Sequence, residues 1–156
     1  MENINKELII KFYSAFKKKN FKAMQECYAD NAVFSDEVFT GLNATQVRSM
    51  WEMLCIRGKD LELEFKNVTA DGRTGSAEWI ANYTFSKSGK KVENRIKADF
   101  VFENGKIIKH TDHFSFYRWS GQALGLSGLL LGWTPFLKNK VRATAMKGLN
   151  DFMNKK

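Results

Sequence analysis

A single proline and two cysteines stand among 156 residues. So little proline excludes a proline-rich linker or spacer. Cys27 and Cys55 form no C-x-x-C pair, which excludes a disulfide framework and a zinc ribbon. They read instead as small buried hydrophobes of a reducing compartment. Histidine is as scarce: His110 and His113 are the two in the chain. Acid is in short supply, with 17 Asp and Glu against 25 Lys and Arg and a net charge of +8. Such a surplus suits nucleic acid or an anionic membrane. No nucleic-acid reader motif accompanies it, so no nucleic-acid partner is expected. Long apolar runs are missing too. Residues 119–137 carry no charge, but four glycines and the one proline break them up, which argues against a membrane span. "MENINKELII" lacks the basic, apolar and small-residue order of a signal peptide, and a cytoplasmic protein is expected.

What is present is aromatic. Hydrophobic residues make up 44% of the chain, aromatics 13%, and Phe alone contributes 13 residues. This length and composition suit one globular unit with an aromatic interior. Ile4, Leu8, Phe12, Ala15 and Phe16 have helical spacing across 4–18. Asn20 is placed to cap a second helix over 21–28, with Phe21, Met24 and Tyr28 inward. A short strand through Val33 and Phe34 follows, then a helix over 43–54 with Val47, Met50, Trp51 and Leu54 on one stripe. Four alternating segments come next, at 60–68, 75–86, 93–102 and 107–116, separated by turn signals such as "DGR" and "ENG". The plan is α+β: three N-terminal helices on a curved antiparallel sheet, forming a cone-shaped barrel over residues 1–118. Residues 119–156 form a C-terminal helical extension, basic and amphipathic after 138, packed on the domain or a dimer partner. Peripheral membrane contact ranks below that packing.

The chemistry concentrates in "IIKHTDHFSF", residues 107–116. Read as a strand, it puts Ile108, His110, Asp112, Phe114 and Phe116 on one face. A histidine and a carboxylate side by side on an apolar face are either a satisfied core pair or the lining of a cavity. Alternation along the strands and the helix stripes give that cavity a wall of Phe12, Phe16, Trp51, Trp79, Tyr83, Phe100 and Phe114. His110 and Asp112 make a two-ligand set with no third partner nearby, so neither metal nor cofactor is expected.

With "FYSAFKKKNFKAMQECYADNAVFSDEVFTG" near its front, this order of elements resembles the nuclear-transport-factor-2-like superfamily, and more closely its SnoaL-like bacterial members, over residues 5–118. In ketosteroid isomerases of that superfamily the last aspartate of the front motif is the general base; the matching residue here is Asp36. Their oxyanion-holding tyrosine and aspartic acid fall here at Phe12 and Ala98, with Tyr13 about 100° further round the helix and Asp99 on the opposite strand face. Ketosteroid isomerisation is therefore not expected. Epoxide hydrolases of this fold use an aspartate at the position of Asp112 together with an Arg–Asp pair, and "WIANYTF" carries neither partner. Polyketide cyclases of the SnoaL type fit better, because "GKIIKHTD" keeps both His110 and Asp112.

Besides an interaction module that uses the sheet and the C-terminal helix for partners, two functions stay open on this reading. One is a cofactor-independent cyclase- or isomerase-type enzyme acting on a small hydrophobic carbonyl compound, with Asp112, His110 and Asp36 catalytic. The other is a non-catalytic binding protein for a hydrophobic small molecule or lipid. The resemblance also implies a homodimer through the outer sheet face of Arg95, Lys97, Asp99, Thr111, His113 and Tyr117.

Overall fold

The structure, a computed structural model, describes residues 2–155, with side chains from residue 4 onward. Helix α1 (Glu2–Lys17) and helix α2 (Phe21–Glu26) lead into strand β1 (Tyr28–Ser35). Strand β2 (Leu42–Asn43) and helix α3 (Ala44–Arg57) follow, then strands β3 (Glu62–Ala70), β4 (Thr74–Phe85), β5 (Lys90–Glu103) and β6 (Lys106–His113). Helices α4 (Phe116–Leu124), α5 (Leu126–Leu131) and α6 (Pro135–Asn154) close the chain. Local chemistry sets the boundaries. Asn20 caps α2 by accepting from the Ala23 amide, as its position predicted. Asn43 and Gln46 form a reciprocal capping box at the start of α3.

The six strands make one curved sheet in the order β2-β1-β6-β5-β4-β3. The β3–β6 meander is antiparallel, as expected, but β1 runs parallel to β6. No tight turn joins those two strands, so nothing local forces them to oppose each other. Besides a register shift in β1 between Tyr28 and Val33, where it pairs with β6, two irregularities bend the sheet. One lies in β3 between Lys66 and Thr69, where Asn67 has a φ of 54°. The other lies where Val101 pairs with Lys109 and Phe102 with Ile107. An extra residue on one strand kinks it and increases its twist. Here the extra residue is Ile108, so Ile107 takes the fully buried place expected of Ile108.

Helix α1 lies across the concave face. Its buried stripe is Asn5, Ile9, Phe12, Tyr13 and Phe16, while Ile4 is 54% exposed. Phe12, Ala15 and Phe16 of the expected stripe are buried as expected, but at the start of the helix Asn5 and Ile9 turn inward in place of Ile4 and Leu8, and Asn5 donates to the Asp71 carbonyl at 2.8 Å. Gly75 makes the close approach of α1 to β4 feasible: a Cβ there would lie 2.9 Å from both Ile9 Cδ1 and Phe102 Cε2. Tyr28, expected on the second helix, opens β1 instead, still buried. Phe116, expected on the face of β6, opens α4, because Ser115 caps that helix by accepting from the Arg118 amide.

The C-terminal helices wrap the open end of the cone. Phe116, Trp119 and Ala123 of α4 cover Val92, with Tyr83, Phe85, Phe114, Val38 and Val141 packed against them. Leu149 of α6 enters the main core beside α3, and the Arg57 guanidinium sits 5.4 Å from the centre of the Phe152 ring. Near the start of α6, Lys138 Nζ pairs with Glu37 Oε1 at 2.9 Å and Arg142 Nε donates to the Glu37 carbonyl at 3.1 Å.

Candidate functional site

The bulge in β6 directs His110 and Asp112 together into the cone, where they are 0% and 3% exposed. His110 Nε2 lies 2.9 Å from Asp112 Oδ1. On the other side of the ring, His110 Nδ1 lies 2.8 Å from the Tyr28 hydroxyl, and Trp51 Nε1 is 2.8 Å from that same hydroxyl. An indole N–H only donates. Trp51 therefore donates to Tyr28; a neutral His110 whose Nε2–H donates to the Asp112 carboxylate then accepts at Nδ1 from the Tyr28 hydroxyl. The chain of bonds fixes both the imidazole tautomer and its plane. Burial holds the Tyr28 phenol well above its ordinary pKa, so it stays a donor.

Rings enclose the imidazole. Phe100 lies 4.3 Å from it between centroids, Phe34 4.9 Å, Phe12 5.7 Å and Trp51 6.3 Å. Phe16 and Trp79 extend this wall, 5.5 Å apart. Of the expected lining, Phe12, Phe16, Trp51, Trp79 and Phe100 are thus buried together around the pair. Tyr83 and Phe114 stand half-buried at the open end, where the Tyr83 hydroxyl accepts from Trp119 Nε1 at 2.8 Å. Two surface depressions of about 370 and 580 Å³ lie elsewhere, one beside α4 and α5 and one at the β3–β4 turn; of the expected lining residues, Phe100 borders the second.

Three aromatic residues belong to the site although the sequence reading did not place them there: Tyr28, Phe34 and Tyr13. The Tyr13 hydroxyl and Trp79 Nε1 are buried with no hydrogen-bond partner, and their rings lie 5.9 Å apart. Burial raises the Tyr13 phenol well above its usual pKa, and the Asp112 charge adds to the shift. Two unpaired buried donors are costly in a folded chain and call for an explanation. Tyr13 was legible as the next residue round from Phe12, and α1 brings both inside.

Asp36 lies in the loop after β1. Its Oδ1 accepts from the amides of Val38 and Phe39 at 2.7 and 2.6 Å, so it shapes that loop. Burial pushes its pKa up to about 7; the Phe39 and Val38 amide bonds oppose the shift, while the nearby Asp112 charge adds to it. Asp36 and Asp112 therefore sense each other across the open end of the cone without sharing a direct bond.

The raised Asp36 pKa has a measurable consequence. An unfolded aspartate titrates near 3.9, so between about pH 4 and 7 the unfolded chain is ionised while the folded one holds its proton. Stability should fall as pH rises through that window and level off above it. Asp36→Asn keeps an oxygen for the Val38 and Phe39 amides and removes the titration. Urea unfolding at pH 4.5 and 7.5 should show ~1–2 kcal/mol less of a pH-dependent drop in the variant than in the parent, a figure already reduced for solvent screening. Equal drops in the two proteins would assign the titration to another group.

Among the described residues, no three His, Cys, Asp or Glu side chains converge to hold a metal ion. The SnoaL-like domain family matches residues 9–110, about two thirds of the chain. The chain belongs to that family. This SnoaL-like protein also shares its fold with solved structures of low sequence identity. The LEH-like epoxide hydrolase of M. tuberculosis is 18% identical, with a TM-score of 0.63 over 83% of this chain and 97% of that one. A candidate polyketide cyclase of Xanthomonas campestris pv. campestris is 16% identical, with a TM-score of 0.65 over 78% and 97%. An NTF2-like protein of unknown function from Cytophaga hutchinsonii is 15% identical, with a TM-score of 0.57 over 70% and 88%. No curated protein matches the SnoaL-like chain.

Proposed function

We propose that this SnoaL-like protein is a cofactor-independent acid–base enzyme acting on a small hydrophobic carbonyl compound, in a reaction of cyclase or isomerase type. The observation that carries this reading is the buried His110–Asp112 pair in the same aromatic interior as two buried donors with no protein partner. The likeness to a candidate polyketide cyclase supports it. The likeness to an epoxide hydrolase does not extend to that chemistry, because "WIANYTF" on β4 offers no Arg–Asp pair.

Each group then has a role. His110 occupies Asp112 Oδ1, leaving Oδ2 to take a proton from the carbon beside the substrate carbonyl. As that C–H bond breaks, its electron pair moves to the carbonyl oxygen, and the Tyr13 hydroxyl and Trp79 N–H supply hydrogen bonds to the developing negative charge. In a ring closure, the enolate carbon bonds to a second carbonyl carbon, and the new alkoxide recovers the proton from Asp112. The sum is an isomerisation and needs neither oxidant nor metal. Asp36, with its pKa near 7, serves as proton carrier at the open end. Val38, Phe114 and α4 cover that end, so the substrate enters when this cover moves.

Asp112→Asn tests the assignment. Deuterium exchange at the α-carbons of a panel of hydrophobic ketones, followed by NMR, should drop at least ~100-fold in the variant. The melting temperature should stay within about 3 °C, because the amide oxygen can still accept from His110. A loss of several kcal/mol at pH 7 would instead make Asp112 a structural partner of His110. The alternative reading, a binding protein for a hydrophobic ligand, would then stand.

A further inference from the structure

Most of the exposed large apolar side chains among the described residues fall between Tyr117 and Phe136. Leu126 is 70% exposed, Leu129 54%, Leu130 61%, Trp133 75% and Phe136 70%. The fold directs them outward by construction. Helix α5 sits on α4 through glycine: a Cβ at Gly128 would lie 1.9 Å from the Ser120 carbonyl oxygen, and one at Gly132 would lie 2.3 Å from Ser120 Oγ. The leucine face cannot rotate inward past that contact.

The backbone at the tip of this hairpin is prepared for a dry environment. A helix of this length would ordinarily leave its last carbonyls to water. Here the Gly132 amide takes the Gly128 carbonyl at 2.8 Å, and the Tyr117 hydroxyl takes that of Leu129 at 3.1 Å. Trp133 Nε1 takes that of Leu130 at 3.1 Å, and the Thr134 hydroxyl and amide take that of Leu131 at 2.6 and 2.9 Å. All four carbonyls are satisfied within the chain, which removes the main penalty for burying a helix end in hydrocarbon.

The surroundings are basic. No acidic residue occurs between Asp112 and Asp151 in the sequence. Lys90 packs against Gly125 at the start of α5, Arg118 borders the groove between α4 and α5 with Leu129, and Lys140 follows Phe136 on α6. Lys138 also follows Phe136, although Glu37 shares its charge. Two copies meeting apolar face to apolar face would set these cations against each other, whereas an anionic lipid surface complements them. Among the described residues no helix is long and apolar enough to cross a membrane.

We propose that α5 and the first turn of α6 form a docking surface that seats this protein on the face of an anionic bilayer, with Leu126, Leu129, Leu130, Trp133 and Phe136 in the acyl boundary and the lysines and arginine among the headgroups. This inference is independent of the chemistry assigned to Asp112. The full chain provides its own reporter, because Trp133 is the exposed tryptophan while Trp51, Trp79 and Trp119 are buried.

Sedimentation with phosphatidylcholine vesicles containing about 30% phosphatidylglycerol should give binding at least ~tenfold tighter than with pure phosphatidylcholine, accompanied by a blue shift of tryptophan emission. Trp133→Phe should keep the sedimentation and lose the shift. Leu130→Glu and Trp133→Glu, both at exposed positions, should keep the circular dichroism and melting of the parent and weaken binding at least ~tenfold. Failure to sediment with either vesicle, equal binding to both, or unaffected binding by the Glu variants would overturn the proposal. A blue shift without lipid that grows with protein concentration and vanishes in Leu130→Glu would also overturn it, in favour of a second copy as the occupant.

Discussion

Ending the chain at Arg118 should yield a protein that aggregates or melts without a cooperative transition. The removed segment carries Trp119, Ala123, Leu137 and Leu149, all buried. Fully burying each large apolar side chain contributes about 1.5–3 kcal/mol, so Trp119, Leu137 and Leu149 alone are worth about 5–9 kcal/mol. Whole domains are stable by only about 5–15 kcal/mol. The cut would also uncover Val92, Tyr83 and Phe114 at the open end of the cone, and free Glu37 from Lys138 and Arg142. Solubility, dye binding and a thermal scan check this. A soluble form with an unchanged melting temperature would show that α4 to α6 are not part of the folded unit.

Removing one hydroxyl, in Tyr28→Phe, should destabilise the protein by about 2–5 kcal/mol, roughly 5–15 °C in melting temperature. The change adds no volume and opens no cavity, yet it leaves Trp51 Nε1–H and His110 Nδ1 buried without the partner each now has. A buried donor or acceptor left unmade costs about 1–3 kcal/mol. The imidazole also loses the contact that fixes its tautomer, so the nitrogen-15 shifts of His110 should change along with stability. Tyr13→Phe is the internal control: its hydroxyl is equally buried but unpartnered, so its loss should cost nothing or stabilise slightly. If Tyr28→Phe cost no more than Tyr13→Phe, the bonded chain from Trp51 to Asp112 would contribute nothing to folding.

The fold was readable where periodicity is local. Trp79 and Ala81 on β4, and Ile96, Ala98 and Phe100 on β5, alternate without interruption, and the structure buries every one of them. Asn20 could be identified as a cap because its bond to Ala23 spans three residues. The reading failed where a distant contact decides. At the start of α1, Asn5 rather than Ile4 faces inward and bonds to Asp71, 66 residues away. Ile108 lost its place to Ile107 through a bulge fixed by pairing with β5. At the site, the His110–Asp112 contact lies within one strand and follows from alternation. Tyr28 joins them from 82 residues away, and nothing in its own neighbourhood signals that it will. Phe12, Phe16, Trp51 and Trp79 were legible as interior because large rings on inward faces have nowhere else to go.

The parallel pairing of β1 with β6 also sets an order of events in folding. Those strands close a loop of about eighty residues, whereas every other long pairing in the sheet joins neighbours in sequence. Closing long loops costs entropy before contacts reward it, so the meander and its turns can form early while this junction waits. The catalytic candidates His110 and Asp112 sit on the very strand that makes the junction. During synthesis β1, already paired with β2 on one side, must remain without β6 on the other until the ribosome has released the segment around residue 113. The site therefore waits on β6 and then on α4 to α6, which are made later still and close the open end of the cone; until β6 docks, Tyr28, Phe34 and Trp51 lack the His110 ring they pack against.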